Sequence, residues 1–172
     1  AIYGPFDRKY DLQKVAVTQN GEKIATWKTG RSGGLPYIGT GWYRTRFNVP
    51  NFDKKNQRVT LLFDGAISEA RVYVNGKEAI FWPYGYNAFH VDVTDLLNAD
   101  GQANLLAVRL ENREQSSRWY PGAGLYRNVH LITTNKTHIP VWGTHVTTPH
   151  VEKEFATVRL RTNVNTAKGE DL

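Results

Sequence analysis

Residues 70–81 read Ala-Arg-Val-Tyr-Val-Asn-Gly-Lys-Glu-Ala-Ile-Phe, and this stretch decides the fold class. Two strand-like runs, 70–74 and 77–81, are separated by Asn75-Gly76 alone. A two-residue type I′ turn needs positive φ at both central positions, and Asn followed by Gly tolerates that best. The stretch therefore predicts an antiparallel hairpin. The same alternation continues on either side. In 42–49, Arg44 and Arg46 share one parity while Phe47 and Val49 take the other. In 57–63, Val59, Leu61 and Phe63 fall on one face. In 87–93, Phe89, Val91 and Val93 oppose His90 and Asp92, and 104–110 and 125–133 read as two more strands. Helical signal is thin: Thr94-Asp95-Leu96-Leu97 predicts one short turn, ended by Asp100-Gly101. With no βαβ rhythm a parallel sheet is excluded, and the pattern predicts an all-β antiparallel sandwich or barrel. Residues 30–41 hold five glycines around Pro36 and read as a long loop, either functional or a surface excursion.

The chain has 172 residues, enough for one domain or one domain and part of another. It has no cysteine, which excludes disulfides, thiolate metal ligands and a cysteine nucleophile. It also has no methionine, so Ala1 reads as a processed, cloned or proteolytic boundary. No apolar run approaches the roughly 20 residues of a membrane-spanning helix, and no membrane partner is expected. The formal charge is +6, but Lys and Arg are scattered, with Lys54-Lys55 the densest pair. A nucleic-acid footprint would gather charge on one face, so no nucleic-acid partner is expected.

A boundary is expected near Ile139-Pro140. Residues 141–147 and 154–164 read as two strands with Thr148-Pro149-His150 between them. Two strands alone do not make a stable domain. This pair must pack on the sandwich or belong to a second domain.

The chemistry-bearing candidates are aromatic. Arg118, Trp119 and Tyr120 stand together in a loop broken by Pro121, Gly122 and Gly124. Flat apolar faces with polar edges, beside a fork of donors, suit a sugar ring, whose C–H face is rimmed by hydroxyls. The same residues suit packing against another domain. Trp82 and Tyr84, with Tyr86, form a second aromatic group that is either a sugar platform or a corner of the sandwich, and Asn87 either bonds a ligand hydroxyl or satisfies a turn. The five histidines show no metal-site spacing, so neither metal nor cofactor is expected. No Gly-x-Ser-x-Gly elbow and no phosphate loop occur.

Six segments, in order, resemble the N-terminal sugar-binding domain of glycoside hydrolase family 2. They are Gly41-Trp42-Tyr43-Arg44, Phe63-Asp64-Gly65-Ala66, Val72 to Lys77, Asp92 to Leu97, Asn104 to Arg109 and Ser117 to Val129. Within the family the overall look is most similar to bacterial exported beta-galactosidases. The resemblance implies a jelly-roll, galactose-binding-like sandwich over 1–138. It implies that 139–172 open an immunoglobulin-like sandwich, and that a catalytic (β/α)₈ barrel lies beyond Leu172. Its partners would be a galactoside, reached through the parent enzyme, and the other domains of the same polypeptide. A periplasmic or secreted location is implied. Family members retain anomeric configuration using two carboxyl groups about 5 Å apart. The acid/base Glu follows an Asn, and no Asn-Glu pair occurs in this chain. No catalytic residue is therefore assigned to it. In some members an acidic residue before the Gly-Leu-Tyr-Arg element reaches the pocket or an ion; here Ser117 and Arg118 stand there, a departure that weighs against ion binding. Two rivals to an accessory domain are an autonomous carbohydrate-binding module and a β-barrel for single-stranded nucleic acid.

Overall fold

The computed structural model describes residues 16–19, 22–25, 39–99, 101–112 and 124–167. All regular structure there is antiparallel β, apart from one 3-10 turn at Thr94–Leu96. The chain runs β1 (Ala16–Gln19), β2 (Glu22–Ala25), β3 (Gly39–Phe47), β4 (Gln57–Phe63), β5 (Ala66–Ile67), β6 (Ala70–Val74) and β7 (Lys77–Trp82). It continues through β8 (Phe89–Asp92), β9 (Asn104–Asn112), β10 (Gly124–Leu125), β11 (Val129–Asn135), β12 (Thr144–Val151) and β13 (Ala156–Thr162). A four-stranded sheet has the order β3-β9-β6-β7, and a three-stranded sheet the order β11-β4-β8. Non-sequential neighbours in both sheets are the mark of a jelly-roll sandwich, as expected.

The expected alternation is the device that joins the sheets. Val59, Leu61 and Phe63 turn inward from β4, Val72 and Val74 from β6, and Val108 and Leu110 from β9 into one core. Phe63 and Phe89 stack with ring centroids 4.8 Å apart. Trp82, from the other sheet, stacks on Phe89 at 5.4 Å, so three rings bridge the two layers. The hairpin turn is as read: Asn75 has φ 51° and Gly76 φ 81°. Asn75 does more than turn. Its Nδ2 donates to the Leu96 carbonyl and to Asn104 Oδ1, both at 2.8 Å, and its Oδ1 accepts from the Leu105 N–H. Asn104, almost fully buried, also accepts from the Asn98 N–H. A buried amide satisfied in this way holds three connections in register.

Several boundaries differ from expectation, for physical reasons. The run 125–133 is two strands: β10 pairs with β5, and the chain then steps to β4, where the Asp64 N–H donates to the Asn128 carbonyl at 3.0 Å. Thr148-Pro149-His150 is not a turn but part of β12, at a register shift between Thr147 and His150. A bulge accommodates Pro149, which cannot donate to a ladder. The turn lies at 152–155, closed by the Glu152 N–H to the Phe155 carbonyl. Gly39 and Gly41 belong to β3, and the rest of the glycine-rich stretch lies outside the described residues. The β1–β2 hairpin was unforeseen, although Asn20-Gly21 between its strands carries the same turn signal as Asn75-Gly76.

Phe63→Ala should therefore destabilise the sandwich by about 3–5 kcal/mol. Phe81→Ala, on an exposed ring under Arg71, should cost about 1 kcal/mol or less. Guanidinium unfolding midpoints check the contrast, and equal losses would contradict the inter-sheet stack.

Candidate carbohydrate-facing corner

One end of the sandwich is built from close backbone approaches. Gly65 lies under the Tyr126 ring, so that an added Cβ would stand 2.4 Å from Tyr126 Cζ. Gly124 has φ 114°, a conformation glycine alone adopts without strain, and a Cβ there would meet the Tyr43 hydroxyl. The short β5–β10 pair, Ala66 with Leu125 and Ile67 with Gly124, sits between them.

The loop 83–88 rests on that pair. Gly85 is buried, and a Cβ on it would lie 2.8 Å from Ile67 Cγ1. The Tyr126 hydroxyl donates to the Gly85 carbonyl at 3.1 Å, and the Glu69 N–H donates to the Pro83 carbonyl at 3.2 Å. The loop is pinned at both ends of its glycine. On either side of that glycine, Tyr84 and Tyr86 stand out into solvent, 54% and 44% exposed. Their ring centroids are 5.6 Å apart at 58°. Tyr126 is also exposed, with the Arg127 guanidinium over its ring. Two angled rings on a pinned loop form an apolar fork whose ordering cost is already met.

The sequence-predicted residues separate here. Trp82 is turned inward onto Phe89, and its indole N–H is buried without a hydrogen-bond partner among the described residues. Tyr84 is at the surface, and Asn87 is exposed in the bend beside it. Arg118, Trp119 and Tyr120 lie outside the described residues, in the stretch between β9 and β10. Sequence reading missed Tyr126 and Glu111. Glu111 forms an ion pair with Arg109, accepts from the Thr40 hydroxyl, and donates its N–H to the Ser68 carbonyl at 2.9 Å, while the Ser68 hydroxyl donates to the Glu111 carbonyl at 2.7 Å. It ties β3 and β9 beneath the corner. Only its place at the end of a strand leading into the aromatic loop hinted at this. The described residues contain no cluster of three or more His, Cys, Asp or Glu side chains able to hold a metal. No described helix is long and apolar enough to cross a membrane.

Tyr126→Phe should lower stability by about 0.5–1.5 kcal/mol and speed amide exchange across 83–88. Unchanged exchange there would mean that the hydroxyl does not pin the loop.

The family profile described as glycosyl hydrolases family 2, sugar binding domain, matches residues 32–135. A beta-galactosidase of Bacteroides ovatus, BoGH2A, is 42% identical over 137 residues, covering 79% of this chain and 16% of that protein. A beta-glucuronidase of Formosa agariphila is 30% identical over 154 residues, 77% of this chain and 16% of its own length. Among solved structures, a beta-glycosidase from Bacteroides vulgatus superimposes with a TM-score of 0.71 at 35% identity, over 80% of this chain and 18% of that one. A Bacteroides uniformis beta-glucuronidase gives 0.68 at 32% identity, over 74% and 16%. The chain thus spans less than a fifth of each of these relatives.

Proposed function

The chain belongs to glycosyl hydrolase family 2, as its non-catalytic N-terminal sugar-binding domain, and from that premise we propose that it forms one wall of the active-site mouth in a retaining beta-galactosidase. The supporting observation is the pinned fork of Tyr84 and Tyr86, exposed on a loop that rests on the β5–β10 pair. A wall of this kind makes and breaks no bond. It holds the sugar's C–H face against flat rings and narrows the volume in which the scissile bond can lie. Asn87 and Arg118 would supply hydrogen bonds at its rim, and Trp119 and Tyr120 would extend the apolar surface. Catalytic carboxylates would come from a barrel domain elsewhere in the polypeptide. Galactoside is favoured over glucuronide because the galactosidase relative is the more similar of the two. An exported, periplasmic or extracellular enzyme is the reading that the overall resemblance supports.

The hairpin β12–β13 supports the multidomain reading. Val146, Val151, Val158 and Leu160 share one face and are all more than half exposed, while His145, Arg159 and Arg161 take the other. A two-stranded ribbon with one apolar face is half of a sheet waiting for a second layer. We take residues 139–172 as the opening of the immunoglobulin-like domain.

Two outcomes are expected. This chain alone should not hydrolyse a chromogenic galactoside. In the intact polypeptide, Tyr84→Ala/Tyr86→Ala should lower kcat/KM for a galactoside about tenfold, equivalent to about 1.4 kcal/mol of lost stacking, with the unfolding midpoint nearly unchanged. An unchanged kcat/KM would remove the fork from the active-site wall. The exposed fork also admits an autonomous carbohydrate-binding module. Saturable quenching of tryptophan fluorescence by galactose or lactose, in this chain alone, would favour that second reading.

A further inference from the structure

The outer face of the three-stranded sheet carries a cleft that neither the core nor the aromatic corner uses. Thr60 sits at its centre, paired with Ile132 on one side and Asp92 on the other, and Arg58 pairs with Thr134 one step along. The chain roofs this face. After β11 it passes His138 and Pro140, and it returns at Val164–Ala167 beside the same strands. His138 and Asn165 exchange two backbone hydrogen bonds, at 2.9 and 2.8 Å. The cleft is open to solvent and has a volume of about 830 Å³, room for one or two pyranose rings on the usual scale of ligand cavities.

The charge of this cleft is unbalanced. Arg58 and Lys136 both line it and both are half-buried. Arg58 lies on β4, and Lys136 directly follows β11, two residues past Thr134, the pairing partner of Arg58. Ion pairs among the described residues join Lys54 to Asp95, Arg71 to Glu78, Arg109 to Glu111, His130 to Asp64 and His150 to Glu152. Neither Arg58 nor Lys136 is among them. The one carboxylate of the lining, Asp92, gives Oδ1 to the Thr94 N–H at 2.8 Å. His90 and His138 add ring nitrogens rather than negative charge. The two half-buried cations outnumber the one carboxylate of the lining, repel each other and lose solvation. An incoming oxyanion relieves both costs, and the Arg fork suits a planar carboxylate or a sulfate. Thr60 and Thr134 also line the cleft, and Ile132 adds an apolar side chain to it.

We propose that this cleft is a second carbohydrate site, which takes an acidic saccharide by its carboxylate or sulfate group on Arg58 and Lys136. The anionic half of this proposal stands on the two cations. The saccharide half rests on the sugar-binding reading of the domain.

Calorimetric titration of the intact polypeptide with glucuronate, with glucose and with sodium sulfate tests it. Glucuronate should bind and glucose should not compete. Arg58→Gln/Lys136→Gln should weaken glucuronate binding at least tenfold and leave galactoside kcat/KM and the unfolding midpoint unchanged. Lys136→Gln alone should show a smaller loss in the same direction. Tyr84→Ala/Tyr86→Ala should leave glucuronate binding intact, so that the cleft and the corner fail independently. Sulfate binding as tight as glucuronate would overturn the saccharide assignment in favour of a plain oxyanion site. Glucuronate affinity untouched by the cleft substitutions would overturn the site itself. So would absence of binding, which would indicate that a carboxylate of the same polypeptide already fills the cleft.

Discussion

The stack of Phe63, Phe89 and Trp82 is the interaction on which the rest of this structure depends. Among the described residues it is where rings from the two sheets meet in the core. It also decides where the next segment starts: once Trp82 is committed inward, Pro83 ends β7 and the chain must leave the sheet. The residues that follow are Tyr84, Gly85 and Tyr86. The exposed aromatic fork is thus a consequence of the buried one, set at a fixed distance along the chain from it.

The two ends of the sandwich are held by different physics. At one end an amide pair, half-buried Asn75 and buried Asn104, satisfies backbone groups of three connections at once. Such a network fixes register because each alternative leaves a buried polar group unpaired. At the other end the constraint is steric. Gly65, Gly85 and Gly124 let Tyr126, Ile67 and Tyr43 approach to distances a side chain would forbid. The amide end is suited to stability. The glycine end brings Tyr84, Tyr86 and Tyr126 to the surface on a closely packed base.

Charge follows a similar division. Scattered Lys and Arg gave no footprint along the chain, and most described ion pairs are ordinary surface contacts worth little. Arg58 and Lys136 are different only because the return of 164–167 roofs the sheet face on which they lie. Basic side chains of the same kind on the β12–β13 hairpin, Arg159 and Arg161, face solvent and carry no such argument.

The sequence by itself determined what depends on near neighbours. Period-two alternation in 57–63 and 87–93 placed Val59, Leu61, Phe63 and Phe89 in the core, because side chains on a strand point to opposite faces in turn. Asn75-Gly76 specified its hairpin, because positive φ at two successive positions is a local requirement. Six motifs in order were enough to name the family. What the tertiary structure alone decided involves residues distant in sequence. The inward turn of Trp82 depends on Phe89 across the layers, the role of Tyr126 on glycines at 65 and 85, and the splitting of 125–133 on where β5 offers a partner. Glu111 gained its place from Thr40, Ser68 and Arg109. Period-two patterning says which side of a strand a residue occupies, but not what stands opposite it, and the chemistry of both the corner and the cleft lies in what stands opposite.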